Sequence, residues 1–482
     1  MSLRTNHDYP VPKQFIAGEW RSGDGGIYIQ VRDPATGKIL ADVPRANARD
    51  LNDALEAADK AFTSWRSTSA IDRGEILRGA ARLLRNRIPD IAELMTLEQG
   101  KTLAESNIEV NLTADTFDWY AAEGLRSYGR VIPSRAAGAR QLVIPQPLGP
   151  IAAFTPWNFP ALLPARKIAP ALAAGCTLIL KPSEETPASA IAIARALQDA
   201  GLPDGVLNIV LGDPSEISEH LARSGIIKKI AFTGSTPVGK VIAKLAAENV
   251  KPATLELGGH APVLIFEDCD LDKAVATCIM GKTRNAGQVC TSPTRFYIQD
   301  GIYDEFLSRT ADGLKQFKVG SGLDPVNQMG ALANSRRVNA MSNLMDEAVT
   351  GGGKVLAGGK VLPGSGYFFE PTLIAGLSAS TRPMTHEPFG PVMLANRFST
   401  VEQGVSLANS LPYGLAAYLF TTSAATAMTV GESLEAGGIG INTFAISQVE
   451  APFGGLKESG YGKVGGPEGM AAYMHSKYIH HA

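Results

Sequence analysis

One cysteine of the chain, Cys290, lies among small and polar residues in the stretch "NAGQVCTSPTRF". A thiol in such a setting is a core filler, a metal ligand, half of a disulfide or a nucleophile. The chain has four cysteines and seven histidines. No two cysteines form C-x-x-C, and no histidine flanks them at zinc spacing. The spacing therefore disfavours a disulfide framework and predicts no metal site.

The other three cysteines have simpler interpretations. Cys176 and Cys278 lie in the apolar segments "AAGCTLIL" and "AVATCIM", which are typical of buried thiols. Cys269 lies among four acids in "FEDCDLD", and neighbouring carboxylates raise a thiol pKa. Cys290 has neither apolar periodicity nor charged neighbours, so core filler and nucleophile both stay open for it.

Two polar residues at strand ends could assist a nucleophile. Glu256 ends the apolar segment of "LELGGH", where burial of a carboxylate is costly and would raise its pKa toward that of a general base. The alternative is that Glu256 pairs with an arginine and has no role as a base. Asn158 lies in "TPWNFP", whose prolines and aromatic residues fix a tight loop. Its amide could donate to an oxyanion, or it could only cap a turn.

Two further strand ends could bind an anionic ligand. In "IAFTGSTPVGK" a strand ends at Phe232 and turns at Gly234, and Ser235 can cap the next helix, whose free N–H groups suit a pyrophosphate. The pattern is not G-x-G-x-x-G, so an ordinary turn remains an alternative. In "LKPSEETP", Lys181 and Glu184 could bind ribose hydroxyls or form a solvated charge pair.

These segments belong to a regular alternation of strands with helices of 10–15 residues. The pattern predicts βαβ units, parallel sheets and an α/β fold. A length of 482 residues exceeds one hydrophobic core, so two large domains are expected, with a boundary after Leu257. "TGGGKVLAGG" near Thr350 predicts a surface turn. The tail "AAYMHSKYIHHA" predicts a frayed end or an interface.

Composition narrows the class of protein. Hydrophobic residues make up 45%, charged residues 19%, and the net charge is −2, without a basic block. These values are ordinary for a globular chain and disfavour nucleic-acid binding. The N-terminus has no leader pattern, and the apolar stretches are shorter than the ~20 residues of a membrane span. A cytoplasmic protein that binds no membrane is expected.

Seven motifs occur in the order and at roughly the spacings seen in aldehyde dehydrogenases, and together they span nearly the whole chain. Glu256 precedes Cys290 by 34 residues, as the general base precedes the nucleophile in that family. The chain therefore resembles an aldehyde dehydrogenase. The motifs are "TPWNFP", "KPSEETP", "FTGSTPVG", "LELGG", "NAGQVC", "HEPFGPV" and "PFGGLKESGYG".

The resemblance implies a role for each catalytic candidate. Cys290 would attack the aldehyde and form a thiohemiacetal and then a thioester. The Asn158 side chain and the Cys290 backbone N–H would hold the oxyanion. Glu256 would activate the water that hydrolyses the thioester.

The resemblance also implies NAD as the cofactor. Lys181 and Glu184 would contact the adenine ribose, Ser235 the pyrophosphate, Glu387 the nicotinamide ribose and Phe389 the ring. An acid at position 184 repels a 2′-phosphate, which favours NAD and leaves NADP as the alternative. The full implied set is Thr155, Pro156, Trp157, Lys181, Ser183, Glu184, Gly212, Phe232, Gly234, Ser235, Leu257, Glu387 and Phe389.

Two arginines resemble those of succinate-semialdehyde and 2-oxoglutarate-semialdehyde dehydrogenases. By that resemblance, Arg166 and Arg284 would bind the carboxylate at the far end of the substrate, with Ser447 adding a hydroxyl. The alternatives are an arginine paired with a structural acid, a broad-specificity enzyme for neutral aliphatic or aromatic aldehydes, transfer of the acyl group to CoA, and a non-catalytic binding protein. Glu256 argues against the CoA reaction.

The implied architecture is an aldehyde dehydrogenase-like α/β fold with two Rossmann-type parallel-sheet domains and a small oligomerisation hairpin. Residues 1–128 and 148–257 would form the NAD-binding domain, and residues 258–447 the catalytic domain. Residues 129–147 and 448–482 would form the bridging element of a homodimer or homotetramer. In that arrangement the hairpin pairs with the C-terminal tail region of a neighbouring subunit.

Overall fold

The computed structural model describes residues 9–23 and 28–482. The N-terminal segment, for which the sequence predicts no leader, lies largely outside these residues. The first part of the described chain forms β1 (Gln14–Ile16), β2 (Glu19–Arg21), β3 (Tyr28–Arg32), β4 (Ile39–Pro44), α1 (Ala48–Trp65), α2 (Ala70–Asn86), α3 (Ile88–Gln99) and α4 (Leu103–Glu123).

The next part alternates strands and helices. It contains β5 (Arg130–Ile132), β6 (Arg140–Pro147), β7 (Ile151–Phe154), α5 (Leu162–Ala174), β8 (Leu178–Lys181), α6 (Pro187–Asp199), β9 (Leu207–Ile209), α7 (Pro214–Arg223), β10 (Lys229–Thr233), α8 (Thr236–Glu248) and β11 (Ala253–Glu256).

The remainder begins with β12 (Ala261–Ile265), α9 (Leu271–Thr283), β13 (Pro293–Gln299), α10 (Tyr303–Lys315), α11 (Ser335–Thr350), β14 (Lys354–Ala357), β15 (Thr372–Ala375), α12 (Arg382–Thr385) and β16 (Val392–Phe398). It ends with α13 (Val401–Asn409), β17 (Tyr413–Gly414), β18 (Ala416–Phe420), α14 (Ala424–Ser433), β19 (Gly438–Ile441), β20 (Leu456–Lys457), β21 (Gly460–Tyr461), α15 (Gly466–Ala471) and β22 (Met474–His481).

Two large sheets organise these elements, which confirms the predicted α/β class. The first has the order β2-β1-β9-β8-β7-β10-β11-β21, and its strands from β9 to β11 are parallel. The second has the order β14-β15-β16-β13-β12-β18-β19 and is parallel except at β14. The carboxyl ends of parallel strands meet at one edge of a sheet, where α/β proteins place their ligands.

The edges of both sheets differ from the predicted parallel pattern. The N-terminal hairpin β1–β2 adds to the first sheet in antiparallel fashion, and β21 does so at the opposite edge. Residues 460–461, within the segment predicted to bridge subunits, therefore extend the first sheet. The Gly-rich segment after Thr350 is more than a surface turn, because it includes the antiparallel edge strand β14.

The C-terminal tail is also ordered differently from the prediction. Strand β22 pairs along its whole length with β6 of the same chain, from Met474 opposite Pro147 to His481 opposite Arg140. With β5 these strands form a third, antiparallel sheet. The sequence analysis expected the tail of a neighbouring subunit beside this hairpin, but strand β6 is paired with the tail of its own chain. The tail satisfies the backbone groups of its own hairpin instead.

The described residues contain no helix that is both long and apolar enough to cross a membrane.

A buried carboxylate from α3 fixes the start of α6, the helix that follows the "LKPSEETP" loop. Helix α6 has no side-chain cap of its own. Glu98 accepts hydrogen bonds from the backbone N–H groups of Ala188 (2.9 Å) and Ser189 (3.0 Å), from the Ser189 hydroxyl (2.6 Å) and from the Tyr9 hydroxyl (2.5 Å). The carboxylate thus acts as a helix cap supplied by a distant part of the chain.

Removing this cap should destabilise the fold. Glu98→Ala leaves the donors of Tyr9, Ala188 and Ser189 unpaired, and we expect the free energy of unfolding to fall by about 2–4 kcal/mol. Thermal unfolding followed by circular dichroism measures the effect as a lower Tm. Glu56→Ala, at an exposed position of α1, is the matched control and should leave the Tm unchanged. Equal Tm values for both variants would contradict this account of the cap.

Candidate active site

A cavity of about 460 Å³ is lined by loops that follow the strands of both large sheets. Most of the residues predicted from the sequence line it. These are Pro156, Trp157, Asn158, Arg166, Gly234, Ser235, Glu256, Leu257, Arg284, Cys290, Glu387, Phe389 and Ser447. Its volume lies in the range of small-molecule sites.

Six predicted residues do not line this cavity. Thr155, Lys181, Ser183, Glu184 and Phe232 lie at the carboxyl ends of β7, β8 and β10, along the same sheet edge. Gly212 follows β9 and packs against Arg45 and Ala46. Since β9 borders the antiparallel hairpin, its end lies farther along the sheet than the strands that flank the cavity.

Cys290 is the cysteine at the cavity, and all four cysteines are free. Burial raises the pKa of the Cys290 thiol to about 12, with further contributions from the carboxylates of Glu256 and Glu387, while Arg166 lowers it. At neutral pH the thiol is therefore protonated. Cys176 and Cys278 are buried, as predicted. Burial, followed by Asp268 and Asp270, raises the pKa of Cys269 to about 11.

The chain before Cys290 has an uncommon backbone conformation. Asn285 and Ala286 are buried non-glycine residues with φ of 48° and 51°, in the left-handed region. The backbone N–H of Asn285 donates to Glu105 at 2.6 Å, and its side-chain amide donates to the Asn158 carbonyl at 2.9 Å. Tertiary hydrogen bonds thus hold a conformation that costs energy locally.

Glu256 at the end of β11 has a lysine as its ionic partner instead of the arginine considered from sequence. Its Oε2 contacts the Lys167 ammonium and accepts a hydrogen bond from the Thr233 hydroxyl at 2.7 Å. Its Oε1 is buried and has no hydrogen-bond partner among the described residues. Lys167 follows Arg166 on α5, but no local pattern in the sequence indicates its approach to β11.

The Asn158 loop is bonded to the segment that precedes Cys290. The Asn158 Nδ2 donates to the Gln288 carbonyl at 3.1 Å, which brings the amide and the thiol to the same cavity. The Asn158 Oδ1 has no partner among the described residues.

The segment between β10 and α8 forms an uncapped helix start beside the cavity. Ser235 is the N-cap residue of α8, yet its side chain makes no capping hydrogen bond. A side-chain atom added at Gly234 would lie 2.5 Å from the Phe232 ring, so only glycine fits there. An uncapped N-terminus of a 13-residue helix suits a phosphate group.

Lys181, Glu184 and Phe389, which the resemblance assigns to the cofactor, each contact other side chains of the protein. Lys181 and Glu184 form an ion pair at 2.5 Å. Phe389 has a left-handed φ of 49°, packs edge-on against Trp157 at 5.5 Å, and has its carbonyl held by Arg337 at 2.9 Å. Sequence reasoning missed Arg337, since only the tertiary structure brings α11 against this loop.

Glu387 is half-buried at the cavity, and loss of solvent around the carboxyl group raises its pKa to about 7. The side chain lies close to Gly258, where an added side-chain atom would lie 2.5 Å from its Oε2. The "LGG" segment after β11 therefore leaves room for Glu387 at the cavity.

Arg166 and Arg284 both line the cavity, and neither pairs with an acid among the described residues. Arg166 is only 4% exposed, and its Nη2 donates to the Ser447 carbonyl at 2.8 Å while its Nε has no partner. Ser447 thus contributes its backbone oxygen to Arg166. Arg284 lies over the Phe159 ring at 5.2 Å.

The comparison with known proteins agrees with this geometry. Residues 20–479 match the model of the aldehyde dehydrogenase family. The 4-(hydroxymethyl)benzenesulfonate dehydrogenase of Comamonas testosteroni is 45% identical over 475 residues, 98% of both chains. The NADP(+) succinate-semialdehyde dehydrogenase of Escherichia coli is 41% identical over 464 residues, 96% of both chains. The structure of succinate-semialdehyde dehydrogenase from Burkholderia pseudomallei superposes with a TM-score of 0.97 at 40% identity and covers all of both chains.

The chain belongs to the aldehyde dehydrogenase family. It is an oxidoreductase that uses NAD(P), and the resemblance found in the sequence is confirmed.

The charges around Cys290 predict how its reactivity changes. In the ligand-free enzyme, Glu256→Gln removes a negative charge, lowers the thiol pKa and should speed alkylation by iodoacetamide about three- to tenfold at pH 8. Arg166→Met should slow it by a similar factor. Mass spectrometry of the Cys290 peptide over time gives both rates. Iodoacetamide reacts with thiolate that has already formed, so slower alkylation of the Glu256 variant would contradict this account of the charges around Cys290.

Proposed function

We propose that the enzyme oxidises a semialdehyde that carries a far-end carboxylate, either succinate semialdehyde or 2-oxoglutarate semialdehyde, to the dicarboxylic acid. The observation that carries the proposal is the presence of two arginines without acidic partners in the cavity that contains Cys290. Arg166 is buried with an unpaired Nε, which is costly unless a ligand satisfies it, whereas Arg284 is exposed at the same cavity. A planar guanidinium also matches a carboxylate better than an ammonium does.

The proposed chemistry uses three side chains. The Cys290 sulfur adds to the aldehyde carbon, and its proton passes to Glu256. The amide of Asn158 and the backbone N–H of Cys290 stabilise the oxyanion. Glu256 would then release the thiol proton to solvent. As a carboxylate it would take a proton from the water that hydrolyses the thioester and return it to the Cys290 sulfur as the acid leaves.

The residues at the cavity and along the adjoining sheet edge suit the parts of NAD(P). The uncapped start of α8 suits the pyrophosphate, and Glu387 and Phe389 suit the nicotinamide ribose and ring. Lys181, Ser183 and Glu184 with Thr155 would hold the adenosine end along the sheet edge. NAD(P), when bound, accepts the hydride from the aldehyde carbon. Glu184 favours NAD by repelling a 2′-phosphate, and its ion pair with Lys181 leaves that lysine less available for such a phosphate.

Under this proposal, each of the three sheets would have a separate role. The first sheet would bind the cofactor, the second would carry the catalytic loop, and the sheet of β5, β6 and β22 would join subunits of a homodimer or homotetramer. An exposed antiparallel edge supports such assembly. Four free cysteines suit the reducing cytoplasm.

A second candidate substrate is an aromatic aldehyde that carries a sulfonate. The relative from Comamonas testosteroni, named for a benzenesulfonate, shares 45% identity with the chain. The cavity has aromatic walls from Trp157, Phe159 and Phe453, and a sulfonate would meet the same two arginines. Values of kcat/KM over C4 and C5 semialdehydes, 4-formylbenzenesulfonate, butanal and benzaldehyde, each with NAD and NADP, decide between the candidates.

Loss of the arginines should affect anionic substrates selectively. Arg166→Ala and Arg284→Ala each remove a charged hydrogen bond of about 1.5–3 kcal/mol. We expect kcat/KM to fall about 10- to 100-fold for the semialdehyde acids and about twofold for butanal. Arg309→Ala, which removes an exposed arginine outside the cavity, is the control for net charge. Equal losses with acidic and neutral aldehydes would contradict a carboxylate site.

Loss of Glu256 should trap the acyl-enzyme. Glu256→Gln keeps the shape of the side chain but cannot accept a proton. Attack by Cys290 should slow, because the thiol loses its proton acceptor, but the thioester that does form should accumulate because no carboxylate activates the water that hydrolyses it. Intact-protein mass spectrometry after mixing with aldehyde and NAD measures the added mass. Cys290→Ser is the control and should show no adduct and no NADH. A variant of Glu256 that turns over normally without adduct would refute its role in deacylation.

A further inference from the structure

The buried ion pair between Lys101 and Glu109 lies directly beneath the Asn158 loop. Both side chains are 1% exposed, and the Lys101 ammonium donates to Glu109 Oε2 at 2.5 Å. Lys101 belongs to the connection between α3 and α4, and Glu109 lies on α4. Burial of two charges is expensive, and removing one partner costs more than removing both. Such a pair therefore requires a structural or functional reason.

The lysine of this pair holds the backbone of Asn158. Its ammonium donates to the Asn158 carbonyl at 2.9 Å and lies 4.2 Å from the centre of the Phe159 ring. The side-chain amide of Asn285 donates to the same carbonyl at 2.9 Å. The residue whose amide faces the oxyanion thus receives two buried donors on its main chain, one of them charged.

The glutamate of this pair holds the other end of the loop. Its Oε1 accepts the backbone N–H groups of Ala161 at 2.9 Å and Leu162 at 3.1 Å. Helix α5 begins at Leu162 and has no side-chain cap of its own, so Glu109 caps it from α4. The next turn of α5 carries Arg166 and Lys167.

We propose that the Lys101–Glu109 pair positions the oxyanion donor Asn158 and the start of α5. These two charged residues are positioning residues, since neither lines the cavity of Cys290. The pair fixes the Asn158 carbonyl and the amides three and four residues later, which leaves the intervening turn little freedom. A shift of about 1 Å in a catalytic group can cost about 10²-fold in rate, so two buried charges are a reasonable cost for this rigidity.

The inference rests on the proposed function, because it concerns the step in which Cys290 attacks the aldehyde. The readout is the rate constant of NADH formation in a single turnover, with enzyme in saturating excess over aldehyde. A partly unfolded preparation does not change this rate constant, whereas misplacement of the oxyanion donor does. The cofactor is kept saturating so that weaker NAD binding has no effect.

Lys101→Met should lower this rate constant about 10- to 100-fold, because the Asn158 carbonyl loses its charged donor and Glu109 loses its partner. Glu109→Gln should lower it about three- to tenfold. The glutamine oxygen can still cap α5, but its NH₂ group meets the Lys101 ammonium donor to donor. The Glu109 variant also decides the question if Lys101→Met fails to fold. KM for NAD should change by less than about twofold in both.

A matched control is available elsewhere in the same domain. Glu98→Gln alters another buried carboxylate that caps a helix, α6, yet Glu98 does not line the cavity. It should lower stability and leave the single-turnover rate constant within about twofold of wild type. If Glu98→Gln slows the step as much as Glu109→Gln, the effect is general loosening of the fold and the proposal is overturned.

A double-mutant cycle tests whether the lysine acts through Asn158. If it does, Lys101→Met combined with Asn158→Ala should be no more than about threefold slower than Asn158→Ala alone. Multiplied losses, or wild-type rate constants in the folded Lys101 and Glu109 variants, would overturn the proposal. Failure of the wild-type enzyme itself to form NADH from any aldehyde would instead refute the proposed function.

Discussion

The ion pair between Lys167 and Glu256 is the contact on which the arrangement of the active site depends. It joins α5, which follows the Asn158 loop, to the last strand before the second sheet. Thr233 on the neighbouring strand completes the contact. A buried carboxylate without partners is costly, and the lysine and the hydroxyl offset that cost at one of the two Glu256 oxygens. One oxygen of Glu256 stays unbonded, which leaves it able to accept a proton.

The other buried charges around the cavity also need partners, and they differ in how many of their atoms have one. In the Lys101–Glu109 pair every charged atom has a partner: both Glu109 oxygens accept hydrogen bonds, and the Lys101 ammonium donates to Glu109 and to the Asn158 carbonyl. Arg166 is equally buried, yet its Nε has no partner. In the proposals above, the charges whose atoms all have protein partners hold the backbone in place. The charge with an unpaired atom, on Arg166, remains available to a ligand.

Sequence reasoning succeeded where chemistry and fold follow from local pattern. Asn158, Gly234 and Glu256 follow neighbouring parallel strands, so the edge of the sheet brings them together without further information. Gly212 lies farther along the same sheet, because strand order decides which strand ends flank the cavity, and its contact with the cofactor stays a prediction. Lys167, Lys101 and Arg337 were missed, since their roles arise from contacts with residues 51 to 89 positions away along the chain. The pairing of β22 with its own chain likewise depends on tertiary geometry.

The electrostatics of the cavity restrict how the thiol can lose its proton. Arg166 and the backbone N–H of Cys290 lower the pKa of the Cys290 thiol, against burial and two carboxylates that raise it to about 12. Under the proposed function, a bound substrate carboxylate would neutralise the charge of Arg166, and Arg166 would then lower the pKa of the Cys290 thiol less. A thiolate formed in advance would then be still less stable. Transfer of the proton to Glu256 during attack leaves the total charge of the cavity unchanged, because the carboxylate loses its charge as the oxyanion gains one. The raised pKa of the half-buried Cys290 thiol thus favours a mechanism in which deprotonation and attack are coupled.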